Sequence, residues 1–181
     1  MGLILTEDQT ILREMAKSFF EEKSPVERMR KLRDSRDETG FSRALWKEMG
    51  ELGWLGILFP EAVGGAEMGY GELGIILSEA GRVLAPEPFV STVLLGGNAI
   101  LLGGTEPLQK ELLPDLCTGD RLVSLAFQEQ GRFSPYSIEA SASRDGDSYR
   151  ISGRKSFVLD GHVSDQIVTL ARTAGSADER E

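Results

Sequence analysis

The chain has 181 residues, 40% of them hydrophobic, and carries a formal net charge of −9. Its 20 Lys and Arg residues are scattered among 29 Asp and Glu residues, so no basic surface for a nucleic-acid backbone is expected. The longest apolar stretch, 89–104, is interrupted by Gly, Asn and Thr and is shorter than the roughly 20 apolar residues of a membrane span. We therefore predict a globular protein with no nucleic-acid partner and no membrane span.

The N-terminus and the cysteine content indicate the compartment. Residues 1–8 turn acidic at once and lack a basic segment, so no signal peptide is predicted. A single cysteine, Cys117, excludes an intrachain disulfide and fits a reducing cytosol. The prediction is a cytoplasmic protein.

The first two-thirds of the chain are predicted to be helical, because apolar residues recur at helical spacing between glycine and proline breaks. Thr6 is predicted to cap the first helix, and Ser42 is predicted to cap a helix that ends at Gly53. The charged segment 27–38 has little apolar face and is interpreted as a helix end and a surface loop. Further helices are predicted over 71–84, over 89–102, and from Thr105 to the break at Gly119.

After Asp120 the apolar period changes from helical to two, which indicates strands. Strands are predicted over 122–127, 138–144, 148–159 and 166–172, with a hairpin turn at 145–147. The predicted fold class is α+β, with a helical domain over 1–120 followed by an incomplete antiparallel β domain over 121–181. Four strands without a return connection indicate a sheet that is cut before it is complete.

Two candidate motifs are better explained by structure than by chemistry. The segment 69–74 matches the pattern G-x-G-x-x-G, but it lacks the preceding strand and the later acidic residue of a dinucleotide-binding unit. We interpret it as the turn that starts a helix. His162 and Cys117 have no third partner at the spacing of a metal site or a catalytic triad, so neither kind of site is predicted.

Two segments of the β region have the composition of a binding site. One is the strand 124–129 with the loop 130–135, and the other is 152–161. A loop rich in Gly and Ser offers backbone N–H groups and a hydroxyl to a phosphate, and Phe157 offers a flat surface to a ring system. Taken alone, each segment is better explained as a hairpin end and a core aromatic.

A series of segments in one order is similar to a known family. They are LTEDQ at 5–9, LWKEMGELGWLG at 45–56, PEAVGG at 60–65, EAGR at 79–82, GTEPLQK at 104–110, LPDLCTGD at 113–120, and the two β segments. Together they resemble the first part of the acyl-CoA dehydrogenases. The resemblance covers almost the whole chain, and the collinear order makes it more specific than any one segment.

This resemblance implies a helical N-terminal domain, a middle β domain and a C-terminal four-helix domain, with FAD between the last two. Residues 1–120 are then the helical domain, which walls the acyl pocket, and 121–181 are part of the flavin-contacting middle domain. The C-terminal four-helix domain is absent. The implied reaction removes the α proton of an acyl-CoA with a carboxylate base and transfers the β hydride to the flavin, which gives a trans-2-enoyl-CoA. The family's base lies in the C-terminal domain, so no catalytic residue is assigned and this chain alone is expected to be inactive.

The resemblance also implies cofactor contacts, carried over by position. They are Phe127, Gln128 and Ser134 in the first segment and Phe157, Val158 and Leu159 in the second. Gln128 replaces a small hydroxyl residue of the family and Leu159 replaces Thr, so backbone N–H contacts to the flavin persist where hydroxyl contacts do not. The pattern is closer to divergent bacterial members, including those that act on bulky or steroid-derived acyl-CoAs, than to the short- or medium-chain enzymes, which implies a role in fatty acid or steroid catabolism.

The implied partners are an acyl-CoA substrate and an electron-transfer flavoprotein or similar acceptor, in a homo- or hetero-oligomer. Two alternatives remain open. The chain is either a non-catalytic or split subunit of a hetero-oligomeric acyl-CoA dehydrogenase, or a helical interaction module without a cofactor. Flavin absorbance in the purified protein separates the enzymatic hypotheses from the cofactor-free module.

Overall fold

The computed structural model describes residues 4–131, 133–134 and 136–177. Helices come first, and short strands follow them. In chain order the elements are α1 Glu7–Lys23, α2 Val26–Ser35, α3 Arg43–Glu51, a 3₁₀ turn Glu61–Val63, α4 Tyr70–Arg82, a π-helix Phe89–Gly97, α5 Asn98–Gly103, α6 Glu106–Cys117, β1 Val123–Ala126, β2 Ser141–Asp145, β3 Ser148–Ser152 and β4 Gln166–Thr169. Across the described ranges, no helix is long and apolar enough to cross a membrane.

The predicted helix starts are confirmed by their caps. Thr6 and Gln9 form a capping box, in which the Gln9 N–H donates to Thr6 Oγ1 over 3.2 Å and the Thr6 N–H donates to Gln9 Oε1. Ser42 Oγ accepts from the Leu45 N–H at the start of α3. Gly69 caps α4, and its N–H donates to Glu72 Oε2 over 3.0 Å, so the segment 69–74 is a helix start, as predicted.

The interpretation of 27–38 as a helix end and loop is wrong, because Val26–Ser35 forms α2. This helix has no fully buried residue, and its apolar side chains Val26, Met29 and Leu32 are only partly buried, so its apolar signal in the sequence is weak. Polar contacts also attach it. Arg28 donates to Ser24 Oγ over 2.9 Å and forms an ion pair with Glu87, whose side chain is fully buried.

Aromatic side chains from several elements fill the helical core. Trp46 of α3 packs edge-on against Phe89 of the π-helix, with ring centroids 5.1 Å apart. Phe20 of α1 packs against Trp54 at 5.7 Å. Such pairs contribute about 0.5–1.5 kcal/mol beyond the apolar area they bury. These contacts therefore pack α3 against the π-helix and α1 against the loop that follows α3.

The strands form two separate pairs, and the predicted order of a helical region followed by β structure is confirmed. β2 and β3 are antiparallel, as expected, and are joined at Gly146, whose φ is +64°. β1 and β4 instead run parallel, with Val123 opposite Gln166. A parallel return needs a long crossover, and the chain between these two strands, which includes the hairpin, supplies it. The third predicted strand, 148–159, ends at Ser152, and further on Phe157 and Asp160 have φ values of +55° and +52°, which lie outside the strand region.

The π-helix lies directly against β1. A Cβ on Gly96 would lie 2.4 Å from the carbonyl oxygen of Val123, and a Cβ on Gly97 would lie 2.4 Å from the Phe59 ring. The Val123 N–H also donates to Thr92 Oγ1 within the core. A continuous helix over 89–102 was predicted; the segment is helical, but its first nine residues are wound as a π-helix.

We expect Gly96→Ala to lower the free energy of unfolding by about 2 kcal/mol, because the added methyl group meets backbone that cannot move without displacing β1. Gly74→Ala is the matched control, since Gly74 lies inside α4 with open space around its Cα. It should raise the free energy of unfolding by about 0.5–1 kcal/mol. Urea unfolding measures both, and equal effects of the two variants would contradict the close packing.

Candidate functional site

The structure brings the two segments that were singled out in the sequence side by side. The first continues from the end of β1, and the second follows β3. The Ser156 N–H donates to the carbonyl oxygen of Gln128 over 2.7 Å. Phe157, the next residue along the chain, therefore lies beside the first segment. Phe127 is half-buried and packs edge-on against Phe133, with ring centroids 6.0 Å apart. Gln128 donates to the Gln130 carbonyl over 3.0 Å.

A buried ion pair fastens the two segments together. Lys155 Nζ lies 2.6 Å from Glu129 Oε1, and the two side chains are only 11% and 4% exposed. The Glu129 carboxylate also accepts the backbone N–H groups of Glu139 and Ala140. Burial raises the pKa of Glu129, but the hydrogen bonds from Lys155 and the two N–H groups lower it more, so the pKa lies below its ordinary value. This carboxylate is fully occupied as a structural acceptor.

Three serine hydroxyls hold the loop 157–160, which we call the cofactor loop after the flavin contacts that the resemblance predicts for it. Ser124 Oγ of β1 donates to the Leu159 carbonyl over 2.7 Å. Ser91 Oγ of the π-helix donates to Asp160 Oδ2 over 2.5 Å. Ser164 Oγ donates to the Asp160 carbonyl over 2.9 Å. Ser91 and Ser124 are completely buried, so the end of the loop is fixed to the interior of the protein.

Phe157 does not lie in the core, so the interpretation of this residue as a core aromatic is wrong. Its side chain is 75% exposed, and its φ of +55° lies in the left-handed region. A bulky residue in this region costs about 1–2 kcal/mol. Leu159, two residues further on, is 51% exposed. The N–H groups of Val158 and Leu159 donate to no group in the part of the chain that the structure describes.

Ser134 is not joined to the cofactor loop. It lies exposed in the loop after β1, where its carbonyl accepts from the Ser137 N–H over 3.3 Å. No hydrogen bond among the described residues connects Ser134 with 157–159. Its neighbours Arg132 and Pro135, which belong to the first segment in the sequence, lie outside the described residues.

The remaining reactive side chains do not form a second site. Cys117 ends α6 and is buried, and burial raises the pKa of its thiol to about 11, so it stays protonated at neutral pH. His162 is exposed in the turn before β4. In the ranges described above, no group of three His, Cys, Asp or Glu side chains is placed to hold a metal ion.

The residues of the cofactor loop fit a flavin. An exposed aromatic surface lies beside two backbone donors that have no protein partner in the described ranges, as a ring system with acceptor atoms on its edge requires. Sequence reasoning missed the residues that hold this loop, namely Ser91, Ser124 and Ser164. One signal was present in the sequence. Ser91 is a polar residue within an apolar helical run, a position that requires a hydrogen-bond partner when it is buried.

We expect Glu129→Gln to lower the free energy of unfolding at pH 7 by about 3 kcal/mol, because it leaves the Lys155 ammonium buried without its counter-charge. The folded pKa of Glu129 is depressed, so its contribution is complete above the unfolded value of about 4.3 and is lost as the pH falls through the folded pKa. The difference between wild type and variant should therefore shrink below about pH 4.

Chemical unfolding between pH 7 and pH 3 measures this difference. Glu106→Gln is the matched control, because Glu106 pairs with Lys110 in an exposed position on α6 and should show little change at pH 7. A gap between wild type and Glu129→Gln that stays constant with pH would contradict the role of the ionised carboxylate.

Comparisons with known proteins identify the family. The family described as "Acyl-CoA dehydrogenase, N-terminal domain" matches residues 6–120. Isobutyryl-CoA dehydrogenase from Dictyostelium discoideum mitochondria is 32% identical over 172 residues, covering 93% of this chain and 40% of that protein. A variant of the Tcur3481-Tcur3483 steroid ACAD superposes with a TM-score of 0.80 at 33% identity, over 91% of this chain and 45% of that one.

A third relative is a complex. The ChsE4-ChsE5 complex from Mycobacterium tuberculosis superposes with a TM-score of 0.78 at 27% identity, over 92% of this chain and 44% of the matched chain. The curated relatives are longer, and this chain spans 40% to 47% of their length. Because the family match covers more than half of the residues and the structural match extends through the β segment, the chain belongs to the acyl-CoA dehydrogenase family.

Proposed function

We propose that this chain is the N-terminal part of an FAD-dependent acyl-CoA dehydrogenase that converts an acyl-CoA thioester to a trans-2-enoyl-CoA. In this proposal residues 1–120 form the helical domain that walls the acyl pocket, and 121–181 form part of the middle domain that contacts the flavin. The observation that carries the proposal is Phe157, an exposed aromatic held in a left-handed conformation by a loop whose end is fixed to buried hydroxyls.

The left-handed backbone conformation of Phe157 is strained, and this strain supports a ligand-binding role for the residue. A left-handed bulky residue persists only where the surrounding structure fixes it, and such residues concentrate at ligand sites. Phe157 forms no part of the hydrophobic core, so its conformation does nothing for packing in this chain. A ring system stacked on Phe157 would bury the exposed surface and offset the strain.

The proposed cofactor supplies the chemistry, since bound FAD accepts the hydride that leaves the β carbon. The chain's own residues would bind and orient it. Phe157 would lie against the ring, the N–H groups of Val158 and Leu159 would hold its polar edge, and Phe127 and Gln128 would contact it from the first segment. Ser134 would reach the pyrophosphate. No residue of this chain is assigned as the base, which the proposal places in the remainder of the complete enzyme.

The relatives indicate the class of substrate and the kind of partner, but not the individual compound or protein. We propose a branched or bulky acyl-CoA, since the relatives include an isobutyryl-CoA enzyme and a steroid enzyme, and an electron-transfer flavoprotein or similar acceptor. A cytoplasmic location stays a prediction. A second candidate is a non-catalytic or split subunit of a hetero-oligomer, which the ChsE4-ChsE5 complex favours. In that case flavin occupancy depends on a second kind of subunit.

We expect the complete enzyme to be yellow when purified and its flavin absorbance to fall when an acyl-CoA is added without oxygen, because the hydride reduces the ring. The measurement is an anaerobic titration with short-chain, long-chain and steroid-derived thioesters. An absorbance band that none of these substrates bleaches would contradict the dehydrogenase proposal. A protein purified without flavin would favour the cofactor-free module.

We expect Phe157→Ala to weaken FAD binding about tenfold, because it removes a flat apolar surface worth roughly 1.5–3 kcal/mol when buried. The melting temperature of the flavin-free protein should hardly change, since the side chain is 75% exposed. Tyr149→Ala is the matched control, an aromatic of β3 that is 57% exposed. Unchanged flavin affinity together with a lower melting temperature would show that Phe157 is structural.

A further inference from the structure

One contact joins the π-helix to the cofactor loop. Ser91 Oγ donates to the Asp160 carboxylate, and the Ser91 side chain has no exposed surface. This hydrogen bond spans 69 residues of sequence. In the proposed function the π-helix is part of the acyl pocket wall and the loop carries the flavin contacts. The contact therefore connects the two halves of the proposed site.

Asp160 is the last residue of the cofactor loop, so this contact attaches the end of the loop to the π-helix. The cofactor loop is fixed at its start by the Ser156 N–H and at its end by Asp160. Phe157 and Asp160 are both left-handed, so the loop does not hold this shape through a strand ladder. A charge-assisted hydrogen bond to a carboxylate is shorter and stronger than a neutral one. Of the contacts at the end of the loop, only this one involves a charged group.

We infer that Ser91 and Asp160 are positioning residues for the flavin: their hydrogen bond sets the place of the cofactor loop relative to the π-helix. The inference rests on the proposed function and goes beyond it, since neither residue contacts the cofactor in that proposal. Without this hydrogen bond the end of the loop is still held by Ser124 and Ser164 but loses its contact with the π-helix, so Phe157 and the N–H groups of Val158 and Leu159 shift from the positions in which they would hold the ring. An Asn at position 160 would also supply an acceptor oxygen, so the hydrogen bond does not require the charge of Asp160.

The test is a set of FAD titrations of the deflavinated complete enzyme, followed by flavin fluorescence. Ser91→Ala removes the donor and Asp160→Ala removes the acceptor, and each should weaken FAD binding about tenfold. The double variant should bind FAD as weakly as either single variant, because both delete the same interaction. Asp160→Asn keeps the acceptor and should stay within about threefold of wild type.

Two further variants separate the hydrogen bond from its surroundings. Asp160→Gly favours the left-handed backbone but lacks the acceptor, so it should bind FAD as weakly as Asp160→Ala. Ser143→Ala, on the exposed face of β2, is the control for the loss of a serine hydroxyl and should leave FAD affinity unchanged. Asp160 is only half-buried, so variants at this position are expected to fold. If Ser91→Ala does not fold, the comparison of Asp160→Asn with Asp160→Ala and Asp160→Gly still tests the inference.

The outcomes distinguish this inference from the proposed function. Wild-type FAD affinity in Asp160→Gly, additive effects in the double variant, or lower melting temperatures with unchanged FAD affinity would each overturn the positioning role. Any of these results would leave the dehydrogenase proposal intact. A deflavinated wild-type enzyme that binds no FAD would overturn both.

Discussion

The close approach of the π-helix to β1 fixes the rest of the site. Gly96 lies so near the Val123 carbonyl that no side chain fits between them, and Thr92 accepts from the N–H of the same residue. Two backbones at this distance leave little freedom for either element to shift. The end of β1, where Phe127 begins the first segment, is therefore set by the helical region. The same helix presents Ser91 to the cofactor loop, so one packing contact places both segments.

The Glu129–Lys155 pair provides a second, different constraint. Taking two charges out of water costs several kcal/mol, and a well-packed apolar pair of similar volume is often as stable or more so. The ion pair instead fixes the relative positions of the stretches of chain that it joins. Glu129 binds Lys155 and two adjacent backbone N–H groups at once, so three stretches of chain, around residues 129, 139–140 and 155, meet at this carboxylate. A carboxylate with this many fixed partners sets the spacing of those stretches more narrowly than apolar contact does.

The sequence predicted the structural features that depend on contacts between residues close together in the chain, and it missed those that depend on contacts between residues far apart in the chain. The caps at Thr6 and Ser42 were found because each side chain bonds a backbone group three residues away. The helix α2 was missed because its attachment, Arg28 to Glu87, spans 59 residues. The parallel pairing of β1 and β4 depends on a crossover that no local pattern records. For Phe157 the resemblance indicated a role, but its exposure and φ could not be read from neighbouring residues, and the loop that it begins is held by Ser124 and Ser91, which are 35 and 69 residues away from their partners in the sequence.

The cofactor loop also bears on the alternative of a helical module without a cofactor. A protein-binding surface can use exposed apolar side chains such as Phe157 and Leu159, so exposure alone does not discriminate. The loop combines that apolar surface with two backbone donors that have no partner in the described ranges, and a flat ring with acceptor atoms on its edge satisfies both at once. A purely apolar partner would bury the donors without a hydrogen bond, at a cost of about 1–3 kcal/mol for each. The loop therefore offers both apolar and hydrogen-bonding contacts, which supports the proposal of a flavin site over that of a purely apolar protein surface.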